Sequence, residues 1–194
     1  MSFNKFLDPK SDFVFKKIFG TKKHKNLLIH FLNDVLYEKY KPEIDKIVEI
    51  KYVQTIQVPD SATGKEMVVD VLCEDSKKRQ YIVEMQLSPF ASFEDRACAY
   101  LSRVYSRQLD TGMKYNEHRP VFLVAIVNNT LFKGYPGYRY DHKLICEQTG
   151  EQHIKKLHLT FFDLTKFKKD NIAELKTMEE KWLYFFVACP RSGY

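Results

Sequence analysis

The sequence has no C-x-x-C pair: Cys73, Cys98, Cys146 and Cys189 are scattered. That spacing argues against a zinc ribbon or dithiol redox centre and leaves buried free thiols as the expectation. The six histidines form no H-E-x-x-H pair and no Cys/His cluster, so a zinc hydrolase has no support. Glycine and proline are scarce, seven of each in 194 residues, which excludes collagen-like and Gly/Ser-linker architectures. No repeat recurs at a fixed period, which excludes solenoids and propellers. The longest uninterrupted apolar runs, Val121–Val127 and Trp182–Cys189, fall short of the roughly 18 residues needed to span a bilayer. No membrane partner is expected. The opening MSFNKFLDPKSD has no apolar run before a small-residue cleavage site, so no secretory signal is expected and a cytoplasmic location is.

What is present suits one packed core. Hydrophobic residues make up 44% of the chain, charged residues 29% and aromatics 14%, and a single domain over residues 1–194 is expected. The 31 Lys+Arg against 25 Asp+Glu leave a net charge of +6, a bias towards polyanions such as nucleic acid.

Helical spacing of Phe15, Ile18 and Phe19, with Ser11 and Asp12 before them and Gly20 after, predicts a short first helix. Leu27, Leu28, Phe31, Leu32, Val35 and Leu36 predict an amphipathic second helix. From Ile44 to Val58 the rhythm turns β-branched and alternating, and Pro59, Asp60 and Gly64 mark a turn. Met67–Cys73 and Gln80–Leu87 continue a three-stranded meander. Ala91–Leu109 reads as a long helix with Ala97, Leu101, Val104 and Gln108 on one stripe. Val121–Val127, apolar on both faces, predicts a central strand sandwiched by helices. His142–Glu147 and Lys156–Asp163 predict two more strands, and Ile172–Val187 is mostly helical. The order is that of a mixed β-sheet flanked by helices, an α/β fold.

Two acids lie inside apolar strands: Asp70 in Val68-Val69-Asp70-Val71-Leu72, and Glu84 in Val83-Glu84-Met85-Gln86-Leu87. Half-buried carboxylates are costly unless something pairs with them. Side chains alternate along a strand, so Glu84 and Gln86 share a face. If the hairpin is symmetric about Lys77, opposite residue numbers sum to 154 and Asp70 faces Glu84. Like charges placed so call for a cation, and a hard divalent ion with oxygen ligands fits, Mg²⁺ first and Mn²⁺ as a substitute. Gln86 would orient water or hold a phosphate oxygen. The competing arrangement has both acids facing solvent from an edge, each paired with a surface lysine. In the long helix, Arg96, Tyr100, Arg103 and Arg107 return to nearly one angle and form a basic stripe suited to phosphate, or else a solvated face paired with Glu94 and Asp95.

An Asp followed by E-x-Q on consecutive strands, with S-D-F-V-F-K-K-I-F-G upstream and R-A-C-A-Y-L-S-R-V-Y-S-R-Q-L-D-T-G-M-K-Y downstream, resembles the PD-(D/E)XK nuclease superfamily. More narrowly it is similar to the Rpn-type recombination-promoting nucleases, also described as PD-(D/E)XK transposases, from Phe6 to Phe186. The resemblance implies a restriction-endonuclease-like core of α-β-β-β-α-β order and a Mg²⁺-dependent DNA endonuclease linked to recombination or transposition. It implies metal ligands at Asp70 and Glu84, a helix acid at Asp12, and a match at Arg96, Tyr100 and Gln108. The alternative for Asp12 is a simple N-cap, and for Gln108 a core hydrogen bond. Gln86 stands where the superfamily motif has lysine, and Lys16, one turn after Asp12, is the candidate source of that positive charge. DNA is the expected partner, and a homodimer is compatible with the sequence. A catalytically silent DNA-binding or protein-interaction module with the same fold is the alternative, and an RNA nuclease a third. Relatives usually continue into a further helical region, which this chain is expected to lack.

Overall fold

The computed structural model describes residues 7–41, 44–57, 67–89, 91–109 and 112–188. The turn expected around Pro59, Asp60 and Gly64 and the closing segment 189–194 lie outside them. Helix α1 (Asp12–Phe19) is followed by α2 (Lys25–Leu32), which passes through a π-helical segment, Asn33–Tyr37, into a last turn, α3 (Glu38–Tyr40). Strands β1 (Ile50–Tyr52), β2 (Ile56–Gln57), β3 (Met67–Val68), β4 (Val71–Asp75) and β5 (Gln80–Gln86) lead to α4 (Phe93–Ser106). Strands β6 (Val121–Val127), β7 (Arg139–Lys143) and β8 (Leu157–Asp163) then precede α5 (Met178–Ala188).

Six strands form one mixed sheet in the order β1-β4-β5-β6-β8-β7, while β2 and β3 pair separately. β6 is parallel to both neighbours and buried along its whole length, as its two-faced apolar pattern predicts. Its alternation splits the core. Phe122, Val124 and Ile126 face α1, α2 and α5, whose rings interlock: Phe19 lies 5.2 Å from Phe31, and Phe31 lies 5.4 Å from Trp182. Val121, Leu123, Ala125 and Val127 face α4, which lays Phe93, Ala97, Leu101 and Val104 on them. Even-numbered residues of β5 share the α4 side with Ile82, so Glu84 and Gln86 project there.

The expected meander survives as β1-β4-β5, with two corrections. No strand covers residues 45–49: the side chain of buried Asn33 donates to the Ile47 carbonyl (2.7 Å) and accepts from its N–H (2.8 Å). A side chain thus replaces a neighbouring strand. The run Met67–Cys73 is also broken, with Val69 and Asp70 between β3 and β4. Of the thiols expected to be buried, Cys73 is, but Cys98 faces outward from α4 and Cys146 lies half-exposed in the loop after β7.

Candidate metal and phosphodiester site

β4 and β5 pair as Val71↔Val83, Leu72↔Ile82, Cys73↔Tyr81 and Glu74↔Gln80, each summing to 154. Continued by one residue, that register sets Asp70 against Glu84. There the ladder gives way to a reciprocal clasp: the Asp70 N–H donates to Glu84 Oε1 (2.9 Å) and the Met85 N–H donates to Asp70 Oδ2 (2.9 Å). Each carboxylate takes a backbone donor beside the other acid. This is why the strand breaks at Asp70. It also turns both acids inward, away from the edge-facing arrangement: Glu84 is 4% exposed.

Lys16 of α1 reaches the pair, its Nζ 3.3 Å from Asp70 Oδ1 and 2.7 Å from Asp12 Oδ1. Burial pulls the ammonium down, but Asp12 and Asp70 outweigh it and raise its pKa overall. Asp12 is a first-turn residue, not the N-cap; Ser11 holds the cap position, and its hydroxyl donates to the Asp8 carbonyl (2.9 Å). On the other side, Arg96 Nη2 donates to Gln86 Oε1 (2.5 Å), and Gln86 Nε2 donates to the Ser88 carbonyl (2.5 Å). Arg96 also lies over the rings of Phe93 and Tyr100, 4.8 and 5.8 Å from their centroids. The Tyr100 hydroxyl is pushed up in pKa by burial and then by the charge of Glu84.

Lys16 and Arg96 compensate a carboxylate pair crowded in this way only in part. Burial raises the Asp70 pKa, and the Met85 N–H and Lys16 do not fully offset it. Burial and then the charge of Asp70 push Glu84 up to about 8. Among the described residues no group of three or more His, Cys, Asp and Glu gathers that could hold a metal. Two anchored carboxylates nonetheless fit a hard divalent ion, which accepts one or two such ligands and completes its shell with water and substrate oxygen. A family model described as PD-(D/E)XK nuclease family transposase matches residues 9–192 of the 194. The chain belongs to this family. No curated protein and no solved structure matches it.

In this PD-(D/E)XK chain Asp70, Glu84, Gln86, Asp12, Lys16, Arg96 and Tyr100 converge, whereas two candidates do not. Arg103 stands two turns along α4, its Nη1 3.9 Å from Met67 Sδ. Gln108 lies past the end of α4, so it is not on the helix stripe as expected. Its Nε2 donates to Gln80 Oε1 (2.9 Å) and its Oε1 accepts from the Arg119 N–H (2.7 Å). Gln80 is four residues from Glu84, about 13 Å along the strand, so Gln108 makes half-buried bonds at the rim of the sheet rather than in the core, and is not beside the acids. The sequence reading missed the Met85 N–H and the Ser88 carbonyl, which carry no side-chain signal.

Elsewhere, Asp163 caps the turn Leu164–Lys166 by accepting from the Thr165 N–H (2.9 Å), a strand-end role. The Tyr140 hydroxyl in β7 donates to the Phe132 and Tyr135 carbonyls, so the loop between β6 and β7 is tied down onto β7. No helix among the described residues is long and apolar enough to cross a membrane.

The raised Glu84 pKa makes a prediction about stability. Below about pH 4.5, the ordinary glutamate value, the group is protonated folded and unfolded and contributes nothing. As the pH climbs towards 8 the unfolded chain releases this proton while the folded chain keeps it, so stability falls. Glu84→Gln retains an oxygen for the Asp70 N–H and removes the ionisation. In chelator it is expected to melt several degrees above the native chain at pH 8, at roughly 2–4 °C per kcal/mol, and close to it at pH 5. Equal melting at both pH values would refute a buried, ionising Glu84.

Proposed function

We propose that the chain is a divalent-metal-dependent endonuclease that hydrolyses DNA phosphodiesters in recombination or transposition. The observation that supports this best is the Asp70–Glu84 clasp, two carboxylates raised in pKa by burial, within a chain of the PD-(D/E)XK nuclease family. Asp70 and Glu84 would hold the metal, Mg²⁺ with Mn²⁺ as a substitute, which when bound supplies Lewis-acid charge and lowers the pKa of coordinated water.

The rest falls to side chains of the protein. Lys16, kept protonated by Asp12 and Asp70, donates to a non-bridging phosphate oxygen and stands in for the motif lysine that Gln86 replaces. The Gln86 oxygen, fixed by Arg96 on one side while its nitrogen is held by Ser88, accepts a hydrogen bond from the attacking water and so orients it. A neutral amide is no general base, so Gln86 removes no proton. Arg96 adds charge beside Glu84 where negative charge grows on the phosphate.

The test is nicking of supercoiled plasmid by the native chain. Cleavage in Mg²⁺ or Mn²⁺ and none in chelator is expected, with matched RNA cut more slowly. A salt-dependent gel shift without nicking under either metal would replace the enzyme with a DNA-binding module of the same fold. Faster cutting of RNA would reassign the substrate.

A further inference from the structure

A cavity of about 500 Å³ opens at the opposite end of β5 from the acids, on the same side of the sheet. The basic stripe of α4 joins the two places. Arg96 touches Gln86 at the acid end, Arg103 follows, and Arg107, just past the last helical residue, lines the cavity with Arg119. From Arg96 to Arg107 is about 16 Å at helical rise, matching the roughly 13 Å from Glu84 to Gln80 along the strand. Gln108, bound to both Gln80 and the Arg119 backbone, fixes the cavity wall.

The lining is not that of a simple anion hole. Lys78 is paired with Glu74 (2.8 Å), and Glu117 shares the wall with the two arginines. Guanidinium donors alongside amide and carboxylate groups that accept hydrogen bonds match a unit with a phosphate and a base edge together. The volume lies within the range of small-molecule sites.

We infer that this cavity receives one nucleotide of the substrate strand, its phosphate on Arg107 and Arg119 and its base edge towards Gln80 and Gln108. This rests on the nuclease reading above. At about 3.4 Å of axis per nucleotide, the 13 Å offset puts the bound nucleotide about four positions from the phosphodiester at Asp70 and Glu84. Glu117 opposes the phosphate and keeps this contact weak.

The test measures fluorescence anisotropy of a short labelled DNA duplex with the full chain in chelator, over a range of salt. Arg107→Ala/Arg119→Ala is expected to weaken binding roughly tenfold and to lower the salt slope by about two. Glu117→Gln is expected to tighten it roughly twofold. Both arginines are exposed, and thermal melts check that the double variant folds. Mn²⁺ binding by calorimetry should be unchanged. If the native chain binds and nicks DNA while the double variant keeps its affinity and salt slope, the cavity is not a subsite, though the nuclease reading stands. If the native chain binds no nucleic acid, both fall.

Discussion

Asp70→Asn is expected to slow metal-stimulated plasmid nicking by roughly 10³-fold, the loss that follows when several kcal/mol of Lewis-acid stabilisation go with a metal ligand. The substitution is chosen so that the fold survives. Asparagine keeps an oxygen for the Met85 N–H, the bond that closes one half of the clasp. Lys16 loses its partner at 3.3 Å but retains Asp12, and Glu84 is relieved of the like charge that helps raise its pKa. Those two changes oppose each other, so the melting temperature should move by only a few degrees. Calorimetry should show Mn²⁺ binding lost together with the activity. Undiminished nicking by Asp70→Asn would remove the proposed chemistry whatever the fold; loss of nicking with Mn²⁺ binding intact would move Asp70 from holding metal to another role.

How much of this was legible beforehand depends on the range over which each feature is decided. Alternation in β5 and the two-faced run of β6 are local patterns, and they told the layers correctly. The register is local too. Asp75 accepts from the Lys77 and Arg79 N–H groups, and Lys78 takes a left-handed conformation (φ 66°), so a three-residue loop fixes the pairing that a hairpin symmetric about Lys77 predicts. The features that were not legible involve side chains capturing distant backbone. Asn33 takes the groups of Ile47, 14 residues on, and a strand that propensity favours does not form. Asp70 and Glu84 exchange backbone donors, so a continuous apolar run contains a break at its most important residue. Gln108 was expected to find a polar partner and does, but the partner, Gln80, is 28 residues away at the wrong end of β5 for the acids. A polar residue beside an apolar stripe signals that a bond is needed, not where it will be made.

The same hairpin carries the largest expected effect on stability. Asp75, its side chain 2% exposed, accepts from the N–H groups of Lys77 (2.9 Å) and Arg79 (3.0 Å), from Arg79 Nε (2.6 Å) and from the Tyr81 hydroxyl (2.9 Å). Asp75→Ala takes the short Nε bond from the buried Arg79 guanidinium, leaving it the Asp45 carbonyl (3.1 Å) and the Asp45 carboxylate at 4.0 Å, and takes this partner from the Tyr81 phenol. A cost of about 3–5 kcal/mol is expected, a large share of the roughly 5–15 kcal/mol that holds a domain together. It should be seen as a lower denaturant midpoint at unchanged slope. Most of that cost is a buried charge left with the poorer Asp45 contacts rather than the worth of the pair, so Asp75→Ala/Arg79→Met should recover a substantial part of it; equal or greater destabilisation in the double variant would refute that account. The consequence reaches the acids. With the Asp75 side-chain bonds gone the turn keeps its backbone bonds, Asp75 N–H to the Arg79 carbonyl and Lys78 N–H to the Asp75 carbonyl (3.0 Å each), but holds its register less firmly. Strand β6 keeps β5 in place, so a slip of β4 by one residue takes Asp70 out of line with Glu84. Nicking by Asp75→Ala should therefore fall further than its folded fraction, although Asp75 lies at the far end of β4 from Asp70.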